Sequence, residues 1–171
     1  VIAACALTAG ATAQFHGDDA AADRLAAPGH GARPLVRAAR IPLGEEGARF
    51  DLVKYAATYS QAQAILLDAH VEGYGGGGKA FHWSLLPPSV NSHLVLSGGL
   101  TPANVTDGIL QVRARGLSLA VDVSSGVERD GPDGKPLRGI KDADKIHRFV
   151  AAVRAADAQL ANTPHGLLPA T

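Results

Sequence analysis

Five short apolar runs recur along the chain, and segments long enough for a crossover helix separate them. The runs lie at residues 13–16, 35–41, 64–68, 94–97 and 119–123. Each run is too short and too uniformly apolar for an antiparallel strand with one solvated face. Parallel neighbours need a connection of about a dozen residues, and each interval provides one. The pattern predicts repeated βα units around a parallel sheet, as part of a barrel or as an open doubly wound sheet.

Helical periodicity marks the connections between these runs. In the second connection one apolar stripe has the spacing i, i+3, i+4 and i+7, and consists of Leu52, Tyr55, Ala56 and Tyr59. The fourth connection predicts a helix with Thr101 as its N-cap, Pro102 at its first helical position and Gly116 after its end.

The last predicted helix begins near Asp142. Its expected buried face consists of Ile146, Phe149, Val150 and Val153. Beyond Asp157 the helical period fades, and two prolines and a glycine follow. We therefore expect a single α/β domain over residues 1–157 and a frayed tail over residues 158–171.

Composition excludes several classes of function. Sixteen basic residues balance sixteen acidic residues, so no net field attracts the chain to nucleic acid or to anionic lipid. The single cysteine, Cys5, excludes an internal disulfide and a cysteine-based metal cluster. No apolar run approaches the roughly 20 residues that span a bilayer, and no two of the seven histidines have helical metal-ligand spacing. We expect a cytoplasmic protein with no cofactor, metal, membrane or nucleic-acid partner.

Polar residues follow the apolar runs, at the carboxyl ends where both candidate folds bind ligands. They include His16, Arg40, Asp68, Ser97 and Asp122. Asp68 comes directly after a dry strand, and desolvation there favours the protonated carboxyl that a general acid needs. The alternative role for such an aspartate is to cap the next helix or loop.

Two turns of small residues follow the last two predicted strands. Gly98 and Gly99 belong to the first turn, and Ser124 and Ser125 belong to the second. Their backbone N–H groups could converge on an anion, at the position that usually binds phosphate in TIM barrels. Tight packing is the alternative explanation for either turn alone. Asp122 would project into the same mouth.

A glycine-rich loop, GYGGGGK at residues 73–79, follows Asp68. It is not a Walker motif, because no Ser or Thr follows the lysine. Its successive glycines, which include Gly76 and Gly77, allow the backbone to approach a ligand closely. With Trp83 just beyond, the loop could fold over a substrate and exclude water. A plain linker is the alternative.

Together these motifs resemble the phosphoribosylanthranilate isomerase family. Asp68 and the glycine loop resemble the signature after its sixth strand, LSGGLTPANV from Leu96 resembles its seventh-strand motif, and VDVSSGVE from Val121 resembles its eighth. GIKD from Gly139 is similar to its final helix, and QFHGD from Gln14 to the turn after its fourth strand. The resemblance implies a partial TIM (β/α)8 barrel of about five βα units, strands 4 to 8, with the N-terminal units missing.

By this resemblance the chain is an aldose-ketose isomerase of tryptophan biosynthesis that acts on a phosphorylated small molecule. The family converts N-(5-phosphoribosyl)anthranilate by an Amadori rearrangement without a cofactor. The implied general acid is Asp68, and the implied substrate-binding residues are Asp122, His16, Gly76 and Gly77. The implied phosphate-binding residues are Gly98, Gly99, Ser124 and Ser125.

The family's general base is a cysteine at the end of its first strand, and an arginine after its second strand helps to bind the anthranilate carboxylate. No segment of this chain matches either, and Cys5 corresponds to the helix before the fourth strand. The resemblance therefore implies a truncated chain that is inactive or very weakly active alone.

Two alternatives remain open at this point. One is a non-catalytic, phosphate-binding barrel fragment that self-associates through open edges or needs a complementary segment. The other is the related phosphoribosyl isomerase of histidine biosynthesis, which shares the phosphate site but fits the glycine loop and the Asp122 motif less well.

Overall fold

The computed structural model describes residues 10–16, 34–42, 45–70 and 83–162. Five strands form its main sheet: β1 (Ala13–His16), β2 (Leu35–Pro42), β3 (Ala64–His70), β4 (His93–Leu96) and β5 (Ser118–Val121). Every neighbouring pair in this sheet is parallel, and the strand order follows the chain order. The predicted strands are confirmed, with ends that differ by at most two residues.

The sequential strand order distinguishes between the two folds that the sequence left open. A doubly wound sheet reverses its strand order at a switch point, and the described strands show no reversal. Crossover connections between parallel strands are right-handed. When the strands also follow the chain order, such crossovers place their helices on the same face of the sheet. The arrangement is therefore that of a TIM-like sheet, with one face against helices and the other turned inward.

The described helices are α1 (Glu45–Ala48), α2 (Leu52–Thr58), α3 (Val105–Val112) and α4 (Ala143–Asn162). Short 3₁₀ turns occur at Trp83–Leu85, Arg113–Arg115 and Ser125–Val127. None of the helices within the described ranges combines the length and the apolar character that a membrane span requires.

A hairpin of β6 (Glu128–Asp130) and β7 (Pro136–Lys141) connects the sheet to α4. It corrects the assignment of the GIKD segment, whose first three residues lie in β7, while α4 begins only at Ala143. The segment DGPDG from Asp130 is a strong turn signal, which hydrophobic periodicity alone does not detect.

The core lies between the sheet and the helices. Leu67 of β3 and Leu96 of β4 are completely buried. The helical residues in this core include Leu52, Ala56, Val105, Ile109, Val112, Phe149 and Ala156, and Tyr55 and Tyr59 pack against it. The predicted stripe on α2 is therefore confirmed.

Trp83 belongs to this core rather than to the mouth of the sheet. A Cβ atom on Gly108 of α3 would lie 3.2 Å from the indole ring and 2.8 Å from a methyl group of Leu96. Trp83 thus packs on the helical side, where α3 approaches β4, while the glycine loop before it lies outside the described residues and its role as a cover stays a prediction.

The start of α3 also differs from the prediction. The Oδ1 atom of Asn104 accepts a hydrogen bond from the Thr101 amide at 2.8 Å, and the Thr101 hydroxyl accepts one from the Ala103 amide at 3.2 Å. These bonds close a separate turn, so the helix begins at Val105, with Asn104 rather than Thr101 in the N-cap position.

The buried face of α4 is partly different from the predicted one. Phe149 and Ala156 are 6% and 0% exposed, whereas Ile146 and Val150 are 39% and 40% exposed. Further residues that pack on the core from this helix are Ala152, Val153 and Leu160. The helix continues to Asn162, so it includes the first five residues of the segment expected to fray.

We expect the Leu96→Ala variant to lose about 3 kcal/mol of unfolding free energy, because a fully buried leucine leaves a cavity between sheet and helices. Leu117, which is 57% exposed, provides the matched control. Its alanine variant should change the free energy by less than about 0.5 kcal/mol. Urea denaturation measures both values, and equal losses would contradict the assigned core.

Asp142 should contribute to the acid sensitivity of the fold. Its Oδ1 accepts a hydrogen bond from the Lys145 amide at 3.0 Å, and this bond lowers the pKa of Asp142 below its ordinary value of 3.8. Because folding lowers this pKa, the ionised carboxylate of Asp142 stabilises the fold at any pH above about 3.8. This contribution is lost as the pH falls through the folded-state pKa.

Asp142→Asn keeps an oxygen acceptor for the cap but does not titrate. The urea midpoint of this variant should therefore fall less steeply on acidification than that of the parent chain. Asp157→Asn, an exposed change on the same helix, should retain the parental slope. If the urea midpoints of the parent and of Asp142→Asn fall equally steeply with pH, the stabilising role of the Asp142 carboxylate is overturned.

Candidate active site

The parallel register brings polar residues of neighbouring strands into one row. Arg40 of β2 is paired with Asp68 of β3. The amides of Ser97 and Asp122 each continue the ladder to the preceding strand with a hydrogen bond of 2.9 Å. Asp68 lies two residues before the end of β3, and it is therefore side by side with Ser97 and Asp122, which directly follow β4 and β5.

The side chains of this row point away from the helices. Leu67 and Leu96, which precede Asp68 and Ser97, face the helical core, and successive side chains of a strand alternate between its faces. Asp68 is half-buried at the end of the opposite face, where Leu66 is 3% exposed. Neighbouring strands lie about 4.8 Å apart, so the Cα atoms of Asp68 and Asp122, two strands away from each other, are separated by roughly 10 Å. This distance leaves room for a small molecule.

Ser97 links two members of the row. It is 8% exposed, and its hydroxyl donates a hydrogen bond of 2.9 Å to Oδ2 of Asp122. The bond fixes the orientation of the Asp122 carboxylate at the mouth. The sequence placed Ser97 at a strand end but did not identify this role, because the partner is 25 residues away and only the register brings the two together.

The turn after β4 presents backbone amides at the same end of the sheet. Gly98 and Gly99 have φ angles of +73° and +67°, a left-handed conformation that favours glycine. Within the described ranges, no hydrogen bond is donated by the backbone N–H groups of Gly98, Gly99, Ser124 or Ser125. The described residues thus offer these four groups no hydrogen-bond acceptor.

The turns after β4 and β5 are in direct contact. A Cβ atom on Gly126 would overlap the carbonyl oxygen of Leu100, so only glycine permits this approach. The amides that the sequence analysis assigned to phosphate binding thus belong to one continuous surface beside Asp122.

Lys141 of the β6–β7 hairpin contacts the second turn. Nζ of Lys141 donates to the Ser124 carbonyl at 2.8 Å and lies 3.4 Å from Oε1 of Glu128. Glu128 is only 6% exposed and accepts a hydrogen bond from the Gly139 amide at 2.8 Å, which lowers the pKa of Glu128 below its usual range. Nζ of Lys145 donates to the Glu128 carbonyl at 2.8 Å. The sequence analysis did not identify these contacts.

The other residues predicted for the site either lie farther from the row of Asp68, Ser97 and Asp122 or fall outside the described residues. His16 ends β1 and is exposed, with its Nε2 atom 2.9 Å from Nε2 of Gln14. It is paired with β2, so one strand separates it from β3. Gly76, Gly77 and Cys5 lie outside the described residues, and their predicted positions stay predictions. In the part of the chain that is described, no three His, Cys, Asp or Glu side chains come together as a metal site.

A family model for N-(5'-phosphoribosyl)anthranilate isomerase matches residues 9–152. The chain belongs to this family. Over 159 residues it is 54% identical to N-(5'-phosphoribosyl)anthranilate isomerase of Methylibium petroleiphilum, a match that covers 93% of this chain and 65% of the relative. The Leptothrix cholodnii enzyme of the same name is 53% identical over 153 residues, with 90% and 60% of the two chains covered. The chain thus spans less than two thirds of the length of these curated relatives.

Solved structures of the family have the same fold. The Thermus thermophilus phosphoribosyl anthranilate isomerase matches with a TM-score of 0.54 and 26% identity, over 84% of this chain and 60% of that one. A phosphoribosyl anthranilate isomerase in complex with reduced 1-(o-carboxyphenylamino)-1-deoxyribulose 5-phosphate matches with a TM-score of 0.53 and 29% identity, over 84% and 59%. The predicted family is confirmed, and the fold is α/β with a TIM-like parallel sheet.

We expect Gly126→Ala to weaken the binding of inorganic phosphate by about tenfold or more, the equivalent of losing one hydrogen bond to a charged group. The new methyl group would push the two turns apart at Leu100. In the control, Gly131→Ala, the nearest atom is the flexible end of Leu137 at 3.1 Å. NMR titration with phosphate measures both affinities, and an unchanged affinity for Gly126→Ala would contradict the shared surface.

Proposed function

We propose that this chain provides the general acid and the phosphate site of an N-(5'-phosphoribosyl)anthranilate isomerase. The observation that supports the proposal most directly is the position of Asp68, in one row with Asp122 and at the same end of the sheet as the two contacting turns. Family membership supplies the reaction, and the row supplies side chains suited to it.

The phosphate of the substrate would bind to the amides of Gly98, Gly99, Ser124 and Ser125. Backbone N–H groups suit a phosphate because they are fixed donors that need no reorganisation. The relative solved with a deoxyribulose 5-phosphate derivative binds a ligand that carries such a group. With the phosphate held there, the sugar would extend along the row toward Asp68.

Asp68 would act as the general acid of the Amadori rearrangement. Its proton passes to the ribose ring oxygen as the bond from that oxygen to C1 breaks, and the anthranilate nitrogen donates its electron pair to form a Schiff base at C1. A base then removes the proton from C2 to give an enolamine, which takes up a proton at C1 and releases the proton of its C2 hydroxyl to become the ketone. In this scheme Asp122 holds the amine or a sugar hydroxyl, and His16, Gly76 and Gly77 contact the substrate.

The general base is not assigned to any residue of this chain. The sequence contains no match to the first-strand cysteine of the family, and it spans 60–65% of the length of the two relatives compared above. We therefore propose that the five βα units form part of a barrel and that the chain alone isomerises slowly or not at all.

A second candidate function is phosphate binding without catalysis. Within the described ranges, β1 and β5 each pair on one side only, and open edges of this kind favour association with another chain or segment. The names of the curated relatives favour the anthranilate isomerase over the related histidine-pathway enzyme.

We expect Asp68→Asn to lower kcat by about 10² to 10⁴, the usual contribution of a general acid, with little change in KM. The assay follows conversion of N-(5-phosphoribosyl)anthranilate, both by this chain and by the longest open reading frame that contains it. Asp157→Asn, an exposed carboxylate on α4, is the control and should leave kcat unchanged. An unchanged rate in Asp68→Asn would overturn the acid, whereas phosphate binding with no isomerisation by either parent would favour the second candidate.

A further inference from the structure

We propose that Lys141 is a positioning residue, which holds the second phosphate turn in the orientation that binds the anion. The inference rests on the proposed function, because it concerns the phosphate site described there. Lys141 does not contact the substrate in this scheme. It acts through the peptide group between Ser124 and Ser125.

The geometry of a trans peptide explains how the lysine could orient an amide. Nζ of Lys141 donates to the Ser124 carbonyl at 2.8 Å from the hairpin side, and no described peptide bond is cis. The carbonyl and the following N–H of a trans peptide point in opposite directions. A lysine that holds the carbonyl toward the hairpin therefore directs the Ser125 N–H away from the hairpin, and the proposal places the anion on that side.

The lysine is itself held in place. Its side chain is 41% exposed and would be free to sample many rotamers, but its ammonium group lies 3.4 Å from Oε1 of Glu128. The Glu128 side chain is 8% exposed and is fixed by the Gly139 amide. Glu128 thus holds Lys141, whose ammonium group makes the shorter of two hydrogen bonds to the Ser124 carbonyl, the other being from the Val127 amide at 3.5 Å.

The charge of Glu128 distinguishes positioning from simple attraction. A carboxylate so close to the turn opposes the approach of a phosphate dianion, and it offsets the positive charge of Lys141. If the site used the lysine only for its charge, removal of the Glu128 charge would strengthen phosphate binding. If the pair orients the turn, the same change would weaken binding.

The first turn contains a comparable contact. Nδ2 of Asn104 donates to the Gly99 carbonyl at 3.0 Å, and its Oδ1 atom accepts the Thr101 amide. Each turn is therefore held through a carbonyl by a side chain that lies later in the chain, Asn104 before α3 for the first turn and Lys141 of β7 for the second. A neutral amide serves this purpose at the first turn, which agrees with a geometric role for the lysine at the second.

The test measures the dissociation constant for inorganic phosphate, together with the ¹⁵N and ¹H shifts of the Ser125 amide, in the full chain. Lys141→Met should weaken phosphate binding by about tenfold or more, the effect of one lost hydrogen bond from a charged donor, and should shift the Ser125 amide. Lys141→Arg retains a donor and should restore much of the affinity. Glu128→Gln should weaken binding, although it removes a negative charge.

Lys135→Met is the matched control, since it removes the same charge from the same hairpin. Its side chain is 84% exposed and pairs only with Asp133, at 3.7 Å, within the described residues. Its phosphate affinity should stay within about twofold of the parent, as expected for a screened surface charge. Urea midpoints show whether each variant folds, and if Lys141→Met does not, Glu128→Gln and Lys141→Arg decide the question.

The outcomes separate this inference from the function on which it rests. A parent chain that does not bind phosphate overturns the proposed site, and the role of Lys141 with it. A parent that binds phosphate while Lys141→Met binds equally well overturns the positioning role alone. Tighter binding by Glu128→Gln also overturns it, in favour of attraction by charge.

Discussion

The candidate site depends above all on the in-register pairing of five parallel strands. Parallel neighbours end at the same edge, so residues that are far apart in the chain become neighbours there. Asp68 and Ser97 are brought together by the ladder between β3 and β4, and Ser97 and Asp122 by the next one. A shift of one residue in either ladder would turn one of these side chains into the helical core.

The buried face of the sheet maintains this register. Leu67 and Leu96 each precede a polar residue of the row, and both are completely buried against helices. A one-residue slip would expose these leucines and bury a carboxylate. The first change loses hydrophobic free energy, and the second costs the desolvation of a charge. The same packing that stabilises the fold therefore directs Asp68 and Ser97 to the opposite face.

The proposed phosphate site depends on a different kind of constraint. Its donors are backbone amides, so side-chain chemistry matters less than the close approach of the two turns. Gly126 permits this approach at Leu100, and the left-handed conformations of Gly98 and Gly99 shape the first turn. Side chains beyond the turns then hold carbonyl groups in place, so that the contacts behind the proposed phosphate site extend into the hairpin between β5 and α4.

The sequence by itself determined the five strands, the stripe on α2, the family and the residues at the strand ends, because these depend on local periodicity and on contiguous motifs. Periodicity could not choose a barrel-like order over a doubly wound one, since that choice depends on which strands pair. It also assigned Ile146 and Val150 to a buried face that the packing of α4 leaves half exposed. The contacts of Ser97 with Asp122, and of Lys141 with Ser124, required the tertiary structure, because hydrogen bonds between residues 25 and 17 positions apart leave no periodic trace in a single sequence.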